Sequence, residues 1–476
     1  MKALWYVSLV GAALPLLAQE AAVEAVSENP KTLQWNGGGD FRVRQEIYDR
    51  LPGTAGNISK YNNYFRMRGR LFGEVKNEDF TLYARVVDEF REYVRDMGHR
   101  YGKTPGELVL DNLYLDLNNT LWDRVDWRIG RQDLGYGKGR VIWEGNPMDG
   151  SRSFASDAVR ATVKFDDKNT LDVFGLYNSD KTFSLGRAQP YGGGDYLPLN
   201  CIEPWAEGLA EWGGGLYFKS KQWDALPFEL YYIYANKSSY HLLNGTQMQG
   251  RQLSTWGLRA MPQITDTLSA EIEVATQYGE KDSGAVVGGQ MGYAGLTYKM
   301  PLESTFQPYS TLSVLYMSGD RNRGTGRMGD TESDRAWDPL WARYTFFESE
   351  MYVYRGIYGV GYWSNLIYPS LTLGCKFETS QGRHEIFTQG GPMFAAVKDV
   401  VPTAPSSTMG GGDGSLYGWF WRARYDFPLL TGLIKGDDKK YGKLFGHITA
   451  EILEPGDYCT SSKTAYFVRW EVSIAF

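Results

Sequence analysis

The stretch AYFVRWEVSIAF, residues 465–476, places a large apolar side chain on every second residue. This two-residue period is typical of a β-strand with one apolar and one polar face. The apolar face is formed by Trp470, Val472, Ile474 and Phe476. A strand this regular is not expected at the end of a soluble chain, because chain ends fray. In a transmembrane barrel the last strand instead pairs with the first, since an open sheet edge cannot lie in lipid.

The same alternation recurs along the rest of the chain. Four further segments set apolar residues against Arg, Lys or Glu: DFRVRQEIY (40–48), YFRMRGRLFGEV (64–75), AVRATVKF (158–165) and GWFWRARYDF (418–427). No long segment with a helical period follows the N-terminal stretch. The pattern therefore predicts an all-β fold, with a soluble all-β protein as the alternative to a membrane barrel.

The connections between these segments alternate in length. Short polar turns are predicted at 77–79, 119–124, 166–169, 264–267 and 378–382. Longer Gly-rich segments lie between them, at 136–157, 179–210, 281–290, 319–365 and 398–415. Short periplasmic turns that alternate with long outer loops are typical of bacterial outer-membrane barrels. The sequence thus predicts a transmembrane antiparallel up-and-down β-barrel located in the bacterial outer membrane.

Strand starts can be placed by requiring this alternation of turns. They fall near 35, 63, 80, 107, 125, 158, 170, 211, 228, 253, 268, 291, 307, 366, 383, 416, 443 and 465, which gives about 18 strands. The whole of 319–365 is interpreted as one loop, although YRGIYGVGYW (354–363) could add a strand pair. Because this number of strands is even, the first strand begins and the last strand ends on the periplasmic side.

Composition agrees with a barrel and excludes several other classes. Aromatic residues make up 15% of the 476 residues, and the mean hydropathy is −0.40. Polar residues that face the lumen lower the mean hydropathy of a barrel in this way. The net charge of −6 does not suggest nucleic-acid binding, and the 3 Cys residues form no CxxC pair. No metal site or cofactor is predicted.

The N-terminal stretch MKALWYVSLVGAALPLLA (1–18) is typical of a secretory signal peptide. Cleavage is expected after Ala18, or as late as about residue 26. An anchor helix is the alternative, but the apolar run is shorter than the ~18 residues that a membrane span needs. We predict that 19–34 is a short periplasmic segment and that 35–476 is a single barrel domain.

The lumen of such a barrel is wide enough to hold water, so its inward side chains set the function. The alternation predicts an Arg-rich lumen, and the substrate-path candidates are Arg42, Arg44, Arg66, Arg68, Arg70, Arg85, Arg128, Arg131, Arg140, Arg160, Lys376, Arg422, Arg424 and Arg469. Inward Arg favours anions in a pore. Inward acids such as Glu46, Glu271, Glu273 and Glu471 leave open a salt-bridged wall with no strong selectivity. Arg131 falls on the outward face of its strand, so it requires either a bulge near Gly130 or a position at the barrel rim.

One stretch is more specific than the composition. DWRIGRQDLGYGKGRVIW (126–143) followed by SFASDAVRATVKF (153–165) resembles the alginate export family of outer-membrane barrels. The positions that fit are Trp127, Arg128, Gly130, Arg131, Gln132, Leu134, Gly137, Arg140, Phe154 and Arg160. SDAVR stands where the family often has a DG pair before its Arg. WDPLW (337–341) and EILEPGDY (451–458) also resemble the family.

The resemblance implies a monomeric channel with an arginine-rich lumen that passes an anionic polysaccharide, with possible periplasmic export partners. It also implies a mobile periplasmic turn near the pore. That turn would be PLLTGLIKGDDKKYG (428–442), where Lys435, Lys439 and Lys440 could attract anions. An ordinary charged turn is the alternative.

The functional prediction is passive diffusion of anionic poly- or oligosaccharide through the lumen. A general porin for small nutrients or ions is the alternative, and an enzymatic or adhesive barrel ranks last, because no GxSxG or HExxH motif occurs. Outer-membrane lipid and lipopolysaccharide are the expected surroundings. Phe476 is predicted to be the residue by which the barrel assembly machinery recognises the chain.

Overall fold

The computed structural model describes a closed β-barrel. The described residues are 32–50, 61–94, 108–144, 155–179, 190–191, 195–196, 206–207, 209–242, 245–302, 304–321, 327–341, 364–398, 414–435, 440–459 and 463–476. The predicted signal peptide and most of the segment 19–34 lie outside them, as does YRGIYGVGYW (354–363). No helix in the described part of the chain is long and apolar enough to cross a membrane.

Eighteen antiparallel strands form the barrel. In chain order the first nine are β1 Gln34–Asp49, β2 Asn62–Lys76, β3 Phe80–Tyr93, β4 Val109–Asn119, β5 Val125–Gln132, β6 Ser156–Lys164, β7 Asn169–Ser179, β8 Ala210–Ser220 and β9 Phe228–Lys237. The remaining nine are β10 Arg251–Ala260, β11 Leu268–Lys281, β12 Gln290–Lys299, β13 Phe306–Met317, β14 Leu366–Thr379, β15 Gly382–Phe394, β16 Leu416–Lys435, β17 Lys440–Pro455 and β18 Ala465–Ala475. The predicted strand count is therefore confirmed. The largest difference in a strand start is at β17, which was predicted near 443 and begins at Lys440.

The barrel closes where the first strand meets the last. Phe41 of β1 lies opposite Ile474 of β18. Beyond the end of β18, Gly39 N donates to Phe476 O at 2.9 Å and Phe476 N donates to Gly39 O at 3.0 Å. A Cβ at Gly39 would lie 3.1 Å from the Phe476 ring. The terminal strand is thus paired to its last residue, as the sequence predicted.

The outward faces of the strands are apolar, whereas their inward faces are polar. Exposed outward residues include Leu71, Leu113, Ile129, Val159, Leu216, Leu230, Trp256, Leu258, Val274, Leu296, Leu312, Leu371, Ile386, Ile448 and Ile452. A closed barrel has no free edge, so all of its strand hydrogen bonds are made inside the sheet. This arrangement is that of an outer-membrane protein, because an apolar belt around a polar lumen suits lipid outside and water inside.

The connections follow the predicted alternation. Asn77 to Asp79 join β2 to β3, and residues 165–168 join β6 to β7, at the end that we assign to the periplasm. Longer connections lie at the opposite end, including 133–155 between β5 and β6 and 318–365 between β13 and β14. The described parts of 318–365 contain no barrel strand, in agreement with the prediction of a single loop.

One predicted turn is wrong. The segment 428–442 was interpreted as the longest periplasmic turn, and the resemblance to the alginate export family implied that it is mobile. The structure instead continues β16 to Lys435 and begins β17 at Lys440, with register shifts between Pro428 and Leu430 and between Thr431 and Ile434. Bulges let a strand continue past a proline, which has no N–H to donate to the ladder.

Candidate functional site

The barrel lumen carries a concentration of guanidinium groups on one side. We call this side the basic wall; it comprises β1 to β3 and β16 to β18. Its arginines with described side chains on the lumen face are Arg42, Arg44, Arg66, Arg68, Arg70, Arg85, Arg422, Arg424 and Arg469. Neighbouring strands bring them together in register, since Arg44 lies opposite Arg66 and Arg42 opposite Arg68. The structure places these arginines on the lumen face of this wall, and their role in a solute path stays a prediction.

A buried carboxylate organises the upper part of the basic wall. Glu46 is fully buried and its Oε1 lies 2.9 Å from Arg44 Nε and 3.4 Å from Arg469 Nε. Tyr64 donates its hydroxyl proton to the other carboxylate oxygen of Glu46. Burying a charge is costly unless it is paired and hydrogen-bonded. Glu46 therefore compensates guanidinium charge at a point where water cannot.

Two further carboxylates lie at the centre of the basic wall. Arg66 Nε donates to Glu89 Oε1 at 2.6 Å. Arg42 lies between Glu89 and Glu471, at 3.6 and 3.7 Å, and Arg44 is also 3.7 Å from Glu471. Glu89 of β3 is thus shared by arginines of β1 and β2, and Glu471 of β18 by two arginines of β1, so the charges form a network rather than isolated pairs.

The lower part of the wall repeats this arrangement. Asp40 Oδ2 accepts a hydrogen bond from Arg70 Nε at 2.6 Å, and its Oδ1 lies 3.4 Å from Arg68 Nη2. Asp40 is only partly buried, so this pair faces more water than Glu46 does. A single carboxylate again serves two arginines.

Arginines on β3 and β5 are paired in the same way. Arg85 lies 3.0 Å from both Asp111 and Asp133. Arg128 donates to both oxygens of Asp116, at 2.7 and 2.8 Å. A fork of two parallel N–H bonds matches a carboxylate in geometry as well as charge. These arginines therefore present little net charge to a solute.

The charged lumen residues of β14 and β16 also have polar or charged partners. Arg424 Nη2 lies 2.7 Å from Asp426, and Lys376 lies 3.4 Å from Glu385. Arg422 donates to the side-chain oxygen of Gln389 at 3.0 Å. The alternation did not reveal the partners of the lumen arginines and of Lys376, and whether these residues line a solute path stays a prediction.

A loop, rather than a row of charged strand residues, lies against the opposite wall. Residues 133–144, which we call the inner loop, fold into the lumen from the end of β5. Leu134 and Gly135 pair with Trp143 and Glu144 as a short hairpin. Its turn uses Gly137 and Gly139, at φ values of 60° and 72°, a region in which an L side chain is strained. The glycines of the GYGKGR stretch (135–140) therefore allow the chain to reverse inside the barrel.

Stacked aromatic rings attach the inner loop to the wall. The Tyr136 ring stacks on Tyr217 of β8 with centroids 4.3 Å apart and on Phe174 of β7 at 5.4 Å. Tyr217 in turn stacks on Tyr231 of β9 at 5.4 Å, with ring planes only 2° apart. All four rings are buried. Rings on adjacent strands thus form a ladder, and the inner loop adds one more ring to it.

An ion-pair cluster holds the next part of the inner loop. Arg140 Nη1 lies 2.9 Å from Glu271 and 2.5 Å from Glu273, both in the periplasmic half of β11. Arg259 of β10 lies 3.1 Å from Glu271 and 2.9 Å from Glu229 of β9. Arg140 is therefore a structural contact of the inner loop rather than an exposed cation on the path.

Two cations near the inner loop differ from most of the arginines described above in having no carboxylate partner among the described residues. Lys138 is exposed at the turn of the loop. Arg160 of β6 faces the lumen, and its charge acts on the Tyr136 hydroxyl. Within the described part of the chain, neither Lys138 nor Arg160 forms an ion pair with a carboxylate. Arg160 was among the predicted path residues, whereas Lys138 was missed, although its place between two glycines marks it as a turn residue.

Arg131 does not lie on the lumen path, which corrects its prediction as a path residue. It occupies the face that carries Ile129, and it donates to both oxygens of Asp157 at 2.8 Å. The register of β5 with its neighbours does not shift at Gly130. Arg131 is the last residue but one of β5, so the rim position is the correct alternative.

The predicted lysine turn is only partly described. Lys439 lies outside the described residues, and the backbones of Lys435 and Lys440 pair with each other at the ends of β16 and β17. Their role in attracting anions therefore stays a prediction. The role of Phe476 in assembly also stays a prediction.

The comparisons with known proteins give structural matches alone. No family model matches the chain, and no curated protein matches it either. The resemblance to the alginate export family is therefore not supported.

The structural matches cover nearly the whole chain. The chain resembles OccAB1 of Acinetobacter baumannii with a TM-score of 0.52 at 10% identity, over 93% of this chain and 96% of that one. It also matches OpdQ of Pseudomonas aeruginosa, with a TM-score of 0.48 at 14% identity over 92% and 98% of the chains. The outer membrane protein OprD of Pseudomonas aeruginosa matches with a TM-score of 0.46 at 8% identity over 92% and 93%. The likeness to OccAB1 concerns the fold, and it agrees with a closed barrel that includes nearly all of the chain.

Proposed function

We propose that this protein is a passive outer-membrane channel for small hydrophilic solutes, without strong charge selectivity. A barrel of this strand number encloses more space than its inward side chains fill. The inner loop narrows that space from one wall. The observation that carries the proposal is the pairing of lumen arginines with carboxylates of the same strand or of nearby strands in the closed sheet.

Paired charges affect a passing ion less than single charges do. The two members of an ion pair produce fields of opposite sign, and salt screens what remains beyond about 10 Å at 0.1 M. A ring of arginines favours anions only where its charge is not neutralised. Since Glu46, Glu89, Glu471 and Asp40 all lie among the guanidinium groups, the basic wall supports weak rather than strong anion selectivity.

A second candidate function is the passage of anionic oligosaccharide. It is favoured by Lys138 and Arg160, the two cations at the inner loop that form no ion pair with a described carboxylate. If solutes pass close to the inner loop, these two residues alone would select anions there. The two candidate functions therefore differ in what controls permeation. In the first it is the net charge of the whole lumen, and in the second it is the local charge at the inner loop.

Planar-bilayer recording separates the candidates. Under a KCl gradient the proposed channel gives a reversal potential close to zero, and a uronate oligosaccharide blocks it no better than a neutral oligosaccharide of equal length. Strong anion selectivity with block by the uronate alone would replace the proposal by the second candidate. A protein that inserts but gives no conductance would exclude both.

Single substitutions locate the selectivity that is measured. Lys138→Gln and Arg160→Gln should change the reversal potential slightly in the proposed channel, and strongly in an anionic-saccharide channel. Arg124→Gln is the matched control, because Arg124 is an exposed arginine in the periplasmic turn after β4.

A further inference from the structure

A second segment enters the barrel from the connection between β13 and β14. We call residues 337–341 (WDPLW) the tryptophan segment. Trp337, Leu340 and Trp341 are almost completely buried, although the segment belongs to no barrel strand. Leu340 adopts φ of 48°, a left-handed conformation that is costly for a side chain of this size. Packing inside the barrel therefore holds the segment in place against local strain.

The tryptophan segment is fastened to the barrel wall by its backbone. Gln277 of β11 donates its side-chain amide to Asp338 O at 2.7 Å, and Asp338 N donates to Gln277 Oε1 at 3.0 Å. The Asp338 carboxylate forms an ion pair with Arg251 of β10 and accepts a hydrogen bond from Leu340 N at 2.9 Å. One glutamine thus satisfies both backbone groups of Asp338, as a neighbouring strand would.

The same segment contacts the inner loop. Trp143 N donates to Trp341 O at 3.3 Å, and Ile142 forms a parallel β-bridge with Trp341. The Trp341 ring lies over Gly213 of β8, where a Cβ would come within 3.0 Å of it. The inner loop is therefore held on one side by the wall and on the other by the tryptophan segment.

We infer that the tryptophan segment is the positioning element of the inner loop, and that Gln277 and Asp338 are positioning residues that set the width of the pathway without contacting the solute. The inner loop is fixed at its turn by Tyr136 and Arg140. Its return strand, at Ile142 and Trp143, contacts the tryptophan segment. Releasing Asp338 from Gln277 frees that side of the loop. The inference rests on the proposed channel function, because the width of a pathway can be measured only in a protein that conducts.

Two buried glutamines provide a matched test. Gln277 and Gln249 both bind backbone groups of the connection between β13 and β14, but Gln249 binds Asp330 O, at 2.9 Å, away from the tryptophan segment. In single-channel recordings, Gln277→Ala should make altered-conductance states about tenfold more populated, the change that ~1.4 kcal/mol produces in an equilibrium. Gln249→Ala should leave conductance and its fluctuations as in the wild type.

Further measurements keep the test decisive. Arg251→Gln removes the ion pair to Asp338 alone and should give a smaller increase of the same kind. Heat-dependent gel migration shows whether each variant forms a folded barrel, and a general loss of folding would reduce the number of channels without altering the conductance of each. Identical recordings from Gln277→Ala and Gln249→Ala, in a wild type that conducts, would overturn the inference. A wild type that does not conduct would overturn the proposed function instead.

Discussion

The two walls of the lumen are built on different principles. The basic wall consists of strand residues whose charges neutralise one another across the seam between β18 and β1. The opposite wall, from β6 to β12, is covered by the inner loop, which is attached by stacked rings and by Arg140. The basic wall therefore sets its arginines beside carboxylates, while the other wall carries Lys138 and Arg160, neither of which forms an ion pair with a described carboxylate.

Under the proposed function, the number of arginines in the lumen does not by itself set its selectivity. Selectivity depends on the charge that remains after pairing, and on how close the solute must pass to it. We propose that the basic wall stabilises the seam of the barrel through the ion pairs between β1 and β18. We propose that the inner-loop wall sets the shape of the pathway. Each of the following predictions tests this division of roles, beginning with the largest effect.

Glu46→Ala should destabilise the barrel most. It leaves Arg44 and Arg469 without the carboxylate that lies 2.9 and 3.4 Å from them in a fully buried site. Removing one partner of a buried ion pair costs about 3–5 kcal/mol. Urea unfolding in detergent, followed by gel migration, measures the change. Equal stability of the variant and the wild type would show that the basic wall does not stabilise the seam.

The fold was predictable from the sequence because the barrel repeats one local rule. Alternation fixes which face of each strand meets lipid, and alternating turn lengths fix the strand order, so strands as far apart as β1 and β18 could be paired without a structure. The rule failed at 428–442, where bulges keep Pro428 inside a strand. A turn signal and a bulge have the same composition, and only tertiary pairing distinguishes them.

The candidate site was predictable only in part. The alternation placed Arg42 and Glu46 inward, but it did not identify their partners, which for Arg42 lie on β3 and β18 and for Glu46 on β1 itself and on β18. The inner loop gave a weaker signal, since GYGKGR (135–140) is as typical of an outer loop as of a chain that reverses inside the lumen. The tryptophan segment was noticed as a motif, yet its contact with Gln277 depends on folding of the whole connection.

Tyr136→Ala tests the attachment of the inner loop. The substitution removes a buried ring that stacks on Tyr217 and Phe174, a loss of about 3–5 kcal/mol for a large aromatic side chain. The loss should fall on the loop rather than on the barrel, so single-channel conductance should rise while urea unfolding changes little. Tyr136→Phe keeps the stacking and removes only the hydroxyl, so it should raise the conductance much less than Tyr136→Ala does. A conductance that is unchanged in Tyr136→Ala would exclude the inner loop as the narrowing element.

Asp40→Asn tests the neutralisation of the basic wall. It removes one negative charge that lies 2.6 Å from Arg70 and 3.4 Å from Arg68. We expect a reversal potential shifted toward anions, together with a loss of about 1.5–3 kcal/mol of stability, the usual range for hydrogen bonds to charged groups. Asp79→Asn makes the same charge change in an exposed periplasmic turn and should have neither effect. If Asp40→Asn left the reversal potential unchanged, the solute path would not pass near this wall.

The smallest effect is expected for an exposed ion pair at the periplasmic end of β5 and β6. Lys164 Nζ lies 2.6 Å from Asp126 Oδ2, a shorter distance than that between Arg44 and Glu46, but both side chains are about one-third exposed. An exposed pair contributes only about 0–1 kcal/mol, because water solvates both charges when the pair is broken. A double-mutant cycle with Lys164→Ala and Asp126→Ala isolates this energy from other contacts, among them the hydrogen bond from Lys164 to Asn119. Raising the salt concentration should reduce the coupling further. A coupling energy as large as the loss of stability in Glu46→Ala would mean that distance, and not burial, decides the strength of ion pairs in this barrel. The contrast between the two walls would then have to be explained by geometry alone.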